Sequence, residues 1–205
     1  MPRKTLSKEA EEKILEAARS VFIRRGYDGA RMQEIADEAG YNKSMLHYYY
    51  RDKDSLFHEV FIGVARQIIP PIINVLDEDL ELMDKLDKVI EMELTNLGKH
   101  PYMPGFMIQE LNSHPERIPE MVKDLDIHLP DKFIRQVKLA VSTGEIEPIK
   151  PAQLIINVLS LCVFPYMGCP LITSVLHLGD EEYNHLLEER KKLLPKFIRK
   201  ALQPS

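Results

Sequence analysis

Apolar residues recur along most of this chain at intervals of three and four, the spacing of one helical face, and two-residue alternation is rare. The first run predicts a helix over Ser7–Arg25, with Ala10, Ile14, Ala17, Ala18, Val21 and Phe22 on its inner side. Ser7 is placed to cap it, Glu9, Glu11 and Glu12 suit its positive end, Arg24 and Arg25 its negative end, and Gly26 stops it. A short helix follows at Met32–Ala39, ended by Gly40, and then a third at Lys43–Tyr49, capped by Asn42. Asp52 can cap a fourth that starts at Lys53, carries Leu56, Phe57, Val60, Phe61, Val64 and Ala65 inward, and is expected to bend or end near Pro70-Pro71.

The pattern stays helical beyond this point. Leu80–Leu97 is amphipathic, and Pro104 can open a helix containing Phe106, Met107, Ile108 and Leu111. Glu116–Leu125 and Asp131–Ser142 are interrupted at Pro130, Gly144–Pro151 reads as a turn, and Ala152–Phe164 and Glu181–Leu202 read as the last two helices, the latter containing Pro195. No Asn-Gly hairpin signal appears, so the expected class is all-α.

Composition narrows the function. Residues 1–66 hold 12 Lys/Arg against 11 Asp/Glu, and residues 67–205 hold 15 against 21. This is not the basic excess of a non-specific nucleic-acid binder, so any DNA contact must be local. Cys162 and Cys169 share one apolar segment and are expected to be free thiols. The seven histidines show no metal-ligand spacing, and no nucleophile motif, phosphate loop or cofactor fingerprint is present; neither metal, cofactor nor enzyme activity is expected. Residues 1–13 are charged, without the apolar run of a signal peptide. The longest apolar candidate for a membrane span, Leu154–Ile172, is broken by Pro165, Gly168 and Pro170, so the expected location is the cytoplasm, with no membrane partner.

The stretch Arg31–Lys53 carries the chemistry. With Leu46 turned inward, about 100° per residue places Tyr50 in the core and Ser44 and Tyr48 on the opposite face, flanked by Met45 and His47. The first turn of such a helix is where base-edge contacts concentrate. Lys43 can reach a phosphate, Ser44 a base edge and Met45 a thymine methyl, while His47 and Tyr48 suit phosphate oxygens. An ordinary helical corner explains poorly three consecutive tyrosines and an outward Met45 on so short a helix.

These residues resemble the tetracycline-repressor (TetR) family of bacterial transcription regulators. The resemblance rests on Gly26-Tyr27, Ile35-Ala36, Ala39-Gly40, Asn42-Lys43-Ser44, Leu46, Tyr48–Tyr50, and Lys53 with Leu56-Phe57. It implies an N-terminal three-helix, homeodomain-like helix-turn-helix domain (residues 1–52) and a C-terminal helical ligand-binding and dimerisation domain (residues 53–205). It also implies a homodimer that binds double-stranded, inverted-repeat operator DNA, acts as a repressor and is released by a small-molecule effector that moves the fourth helix. Carried over by position, Gln33, Lys43, Ser44, Met45, His47, Tyr48, Tyr49 and Lys53 form the DNA-contact set, with Arg31 and Asn42 beside them. Three positions depart from the family pattern. Ala30 and Arg31 stand where Ser or Thr is usual, which removes an N-cap from the second helix at a cost of about 1 kcal/mol. His47 replaces a usual Tyr, and Tyr41 a small apolar turn residue.

In the later helices, Met103, Phe106, Met107, Leu111, Phe133, Phe164 and Met167 are candidates for a partly apolar ligand pocket, against the simpler reading of helical core. Glu110 and His114, four apart on one face, are a candidate polar anchor or a surface pair. Leu154, Ile155, Val158, Leu159 and Leu161 give more apolar surface than one inner stripe needs, which suits either a dimer interface or a helix well buried in a monomer; the resemblance implies that the last two helices form the interface. Two other functions compete: a helical enzyme or carrier with a helix-turn-helix-like corner, and a DNA-binding protein that answers to a protein partner rather than an inducer.

Overall fold

A computed structural model describes the backbone of residues 3–204 and the side chains of residues 8–204. Among these residues there are helices and turns but no strand. The helices are α1 (Arg3–Gly29), α2 (Met32–Ala39), α3 (Lys43–Tyr49), α4 (Lys53–Asp77), α5 (Leu82–Lys99), α6 (Met103–Ser113), α7 (Ile118–Asp124), α8 (Asp131–Ser142), α9 (Pro151–Met167), α10 (Cys169–Leu176) and α11 (Asp180–Leu202), with a 3-10 turn at Pro115–Arg117 before α7. Two compact units emerge. The first comprises the chain up to Gln67 together with Phe106–Met121, and the second comprises Ile68–Gly105 and Val122 onward.

In the first unit, α1 breaks where the sequence places its stop. Gly26 has φ 66° and ψ 175°, which the Cβ of any other residue resists. The expected cap at Ser7 concerns a side chain outside the described residues, and the helix itself reaches back to Arg3. The core joins Ile14, Ala18, Val21 and Phe22 of α1, Ile35 and Ala36 of α2, Leu46 of α3, and Leu56, Phe57, Val60 and Phe61 of α4, all buried. Phe57 meets Phe22 edge-on at 4.9 Å and Phe106 at 6.0 Å, so α6 supplies part of the same apolar cluster. Full burial of each such side chain contributes roughly 1.5–3 kcal/mol.

Two expectations about α4 are corrected. It does not end at Pro70-Pro71 but continues to Asp77. Each proline removes a backbone donor, yet both ends of the helix are held by buried residues, Val64 and Ala65 before the pair and Ile72, Val75 and Leu76 after it. It is also long and apolar enough to cross a membrane, contrary to the expectation that no segment is. Buried core positions spaced along its length account for that apolarity.

The second unit is built around α5. Leu82, Leu86, Val89, Ile90, Leu94 and Leu97 pack with Phe133, Val137 and Ala140 of α8, Leu154, Val158 and Cys162 of α9, and Leu194, Ile198 and Leu202 of α11. The apolar run after Pro151 differs from its predicted form. α9 continues through Pro165 to Met167, and a separate α10 leaves it at a bend of 70°. Lys85, fully buried, donates to the Leu76 carbonyl at 2.9 Å, and Lys132 donates to the Asp77 carbonyl at 3.0 Å. Two ammonium groups therefore satisfy the C-terminal carbonyls of α4, where the helix dipole favours positive charge.

Candidate DNA-binding surface

The presentation of α3 begins with its cap. The Asn42 side-chain oxygen accepts from the Met45 N–H at 2.8 Å, satisfying a donor that the first helical turn leaves open. At the preceding turn, Gly40 adopts φ 75° and ψ 24°, and the Tyr41 N–H closes back onto the Ala36 carbonyl at 2.9 Å. The Tyr41 side chain is half-buried, and nothing in the structure explains its choice. Leu46 is fully buried and Tyr50 nearly so, and burial pushes the Tyr50 hydroxyl well above its ordinary pKa. Lys43, Ser44, His47 and Tyr48 are exposed and Met45 is half-exposed, the division that the inward Leu46 dictates. Tyr48 is 81% exposed and lies edge-on to Tyr49 at 5.3 Å. Its ring is thereby presented to solvent beside Lys43, Ser44 and His47 on the outer face of α3. The His47 ring contacts the Arg51 carbonyl through Nδ1 at 3.1 Å, which fixes the ring and turns Nε2 away.

On α2, Arg31 occupies the cap position in extended conformation (φ −120°, ψ 137°) with no side-chain cap, as expected from the absent hydroxyl, and is exposed. Gln33 is exposed and its amide donates to Asp37 at 2.8 Å. The α1–α2 corner is held by charge. Arg24 donates to both oxygens of Glu38 at 3.1 and 2.6 Å, and this guanidinium holds the Glu38 carboxyl down at about 2.

Lys53 behaves differently from the rest of the expected contact set. Its ammonium donates to the carbonyls of Tyr27 at 2.9 Å and Ala30 at 3.3 Å and lies 4.3 Å from the centre of the Tyr27 ring. It ties the start of α4 to the end of α1, so its donors point into the fold rather than toward a groove. Asp52 caps α4 as predicted, accepting from the Ser55 N–H at 2.8 Å.

Sequence reasoning missed a brace behind this surface. Buried Glu110 accepts from the Tyr27 N–H at 3.0 Å, immediately after the Gly26 break. The Arg117 guanidinium lies 4.4 Å from the Tyr27 ring centre and 4.6 Å from that of Phe57, and it reaches Asp54 at 3.5 Å. Tyr27 donates its hydroxyl to Asp54, and burial first, then that carboxylate, pushes the phenol up to about 12. Glu110 and His114 are thus brought near each other, with Nε2 4.0 Å from Oε2, but in the first unit and in a structural role. Only the four-residue spacing of Glu110 and His114 hinted at this, because Tyr27 is 83 residues from Glu110 in sequence.

The other pocket candidates divide. Phe106, Met107 and Leu111 belong to the first unit, the first two buried in its core. Met103 and Phe133 are buried in the second unit, while Phe164 and Met167 are exposed there. The residues expected to give α9 its surplus apolar surface are used within the subunit, with Leu154 and Val158 buried and Ile155, Leu159 and Leu161 packed against the same core. The apolar side chains that do face outward are Ile156, Phe164 and Met167 on α9, Leu171, Val175 and Leu176 on α10, and Leu193 and Phe197 on α11. Cys162 is a buried thiol, pushed up to about 12 by burial and then by the nearby Glu93 charge, and Cys169 is also free.

Comparison with known proteins follows this geometry. Residues 14–60, which span most of α1 through the first part of α4, match the family described as bacterial regulatory proteins, tetR family. The HTH-type transcriptional regulator RutR of Escherichia coli K12 is 27% identical over 193 residues, covering 91% of this chain and 89% of its own. The probable HTH-type transcriptional regulator YttP of Bacillus subtilis is 23% identical over 192 residues, covering 88% and 90%. Among solved structures, a TetR family transcription regulator from Marinobacter aquaeolei VT8 superposes with a TM-score of 0.70 at 16% identity over 98% of this chain and all of its own. The hemolysin II transcriptional regulator HlyIIR superposes at 0.69 and 22% identity over 97% and 99%. These two likenesses establish the fold over nearly the full length, and the matched N-terminal module carries the function. Residues 14–60 thus match the DNA-binding module of the tetR family, and over about nine-tenths of its length the chain is similar to DNA-binding transcriptional regulators rather than to enzymes.

Proposed function

We propose that this regulator is a cytoplasmic repressor that binds an inverted-repeat operator as a homodimer through α3 and is released by a small, partly apolar ligand held in the second unit. The observation that carries the DNA reading is the division of α3: Leu46 and Tyr50 inward, Lys43, Ser44, His47 and Tyr48 outward, with Asn42 fixing the first turn. In this reading Lys43 and Arg31 contact phosphates, Ser44 and Met45 read base edges, and Gln33, His47, Tyr48 and Tyr49 set the register. Asn42 acts through its cap and Lys53 through the tie to α1.

The dimer reading is supported by the outward apolar residues. Ile156, Phe164 and Met167 fall on one stripe of α9, and Leu193 and Phe197 sit one turn apart on α11. Clustered large apolar side chains in water mark an association surface. A two-fold dimer supplies the second α3 that an inverted repeat requires. The effector must bind the DNA-competent and DNA-incompetent conformations with different affinity. Among the pocket candidates, Met103, Phe133, Phe164 and Met167 belong to the second unit and suit an apolar ligand body.

Selection of bound sequences from random DNA tests the core of this proposal. The expected result is a palindromic site whose half-sites lie about 10 base pairs apart, or a multiple of that, centre to centre. Enrichment of no sequence, or of a single asymmetric half-site, overturns it. Sedimentation at micromolar concentration tests the dimer independently, and a monomer removes the basis for two-fold recognition.

A further inference from the structure

His47 is exposed in the second turn of α3, on the outward side, with Lys43 one turn before it. Its Nδ1 lies 3.1 Å from the Arg51 carbonyl oxygen. A carbonyl oxygen has lone pairs and no hydrogen, so Nδ1 is the donor in this contact. The neutral ring has one N–H, which the backbone engages, and its Nε2 then presents a bare lone pair to solvent. The same bond ties the ring to the turn between α3 and α4, behind the first helical turn where base edges are met. In homeodomain-like modules the end of the recognition helix meets the sugar-phosphate backbone.

A neutral Nε2 and a phosphate oxygen offer each other only lone pairs, so they cannot form a hydrogen bond. A second proton turns Nε2 into a donor and the ring into a cation, and leaves the bond from Nδ1 to the Arg51 carbonyl unchanged. Resting on the reading of α3 as the DNA-binding helix, we infer that His47 contacts phosphate only as the imidazolium, so that each subunit takes up a proton from solvent when it closes on DNA. The proton goes to Nε2, and no other bond is made or broken within the protein. The charged groups near the ring are Lys43 on α3 and Arg51 and Asp52 in the turn to α4. Asp52 is held ionised by its hydrogen bonds with Ser55 first, and then by the charges of Arg51 and His47. Phosphate adds the negative charge that favours the second proton.

The test titrates the full chain with a duplex carrying the site enriched from random DNA, by calorimetry in two buffers of different ionisation enthalpy. The difference in heat gives the protons taken up, expected at roughly half a proton or more per subunit near neutral pH. Affinity should rise about tenfold or more from pH 8 to pH 6, where histidines ordinarily titrate, and the salt slope should steepen by about 1 per subunit as a further phosphate is neutralised. All three effects should vanish in His47→Tyr, whose hydroxyl donates to phosphate without taking up a proton. Binding without proton uptake, uptake that persists in His47→Tyr, or tighter binding at low pH with an unchanged salt slope would each overturn the inference while leaving α3 on the DNA. Weaker binding at low pH would overturn it too, by assigning Nε2 as an acceptor from a base amino group. If no sequence is enriched, the placement of α3 fails and the inference fails with it.

Discussion

Glu93 offers a quantitative test of how the second unit is built. It lies on the inner face of α5, between Ile90 and Leu94, is 3% exposed and has no ion pair among the described residues. Burial alone pushes its carboxyl from 4.5 to about 7. The folded state therefore holds this proton more tightly than the unfolded chain does. A raised carboxyl favours the fold below the unfolded value and loses that advantage as pH rises through the folded value. From 4.5 to about 7 the loss amounts to roughly 3 kcal/mol, a large part of an ordinary stability margin. The perturbation is Glu93→Gln, which keeps the shape and removes the titration. Urea unfolding followed by circular dichroism at pH 5, 6, 7 and 8 gives the stability difference between wild type and variant at each pH. Every other titrating group is common to both proteins and cancels in the difference. The variant should gain on the wild type by roughly 3 kcal/mol across this range. A difference constant to within about 0.5 kcal/mol would show that Glu93 is solvated or paired in the fold, and would refute the argument.

Other predictions follow from the same geometry. Asn42→Ala removes the cap of α3 and should cost about 1 kcal/mol in stability, with operator affinity falling in step, while Asn42→Asp, read by the same melting and gel-shift assays, should retain most of both. Lys43→Ala and Lys53→Ala should separate cleanly: the first lowers the salt slope of DNA binding by about 1 per contact and leaves melting unchanged, whereas the second lowers the melting temperature and leaves the slope intact, because its ammonium serves the Tyr27 and Ala30 carbonyls. Glu38 is held at about 2 by Arg24, so its contribution is present above about 4.5 and disappears as pH falls toward 2; as the pair is near the surface, Glu38→Gln should remove no more than about 1 kcal/mol of acid-sensitive stability in titrations monitored by circular dichroism.

The relation between sequence and structure differs along the chain. The three-helix module was legible almost residue by residue because its signals are local: Gly26 and Gly40 in left-handed backbone, Asn42 and Asp52 as caps, and Leu46 with Tyr50 as the inner stripe of α3. Each of these acts within four or five residues, over which helical geometry is fixed. The course of α4 past Pro70-Pro71 was not legible, since the local penalty of proline is offset by burial of Ile72, Val75 and Leu76 in a core assembled from distant segments. The split of α9 and α10 was missed for a related reason, because one apolar run cannot report a 70° bend.

Hydrophobic spacing sets the helices of this chain, and short-range capping chemistry sets the helix-turn-helix within the stretch that matches the tetR family model. Only the tertiary structure decided that Phe106–Met121 joins the N-terminal unit, where Glu110 and Arg117 brace Tyr27. It also decided that Lys53 turns inward, that Glu93 is buried with no ion pair among the described residues, and that Ile156 and Phe164, not Leu154 and Val158, face outward from α9. The reason is physical: a periodic pattern gives the faces of each helix, but which face meets which depends on contacts between residues far apart in sequence, and those contacts set the local dielectric and the partners of every charge.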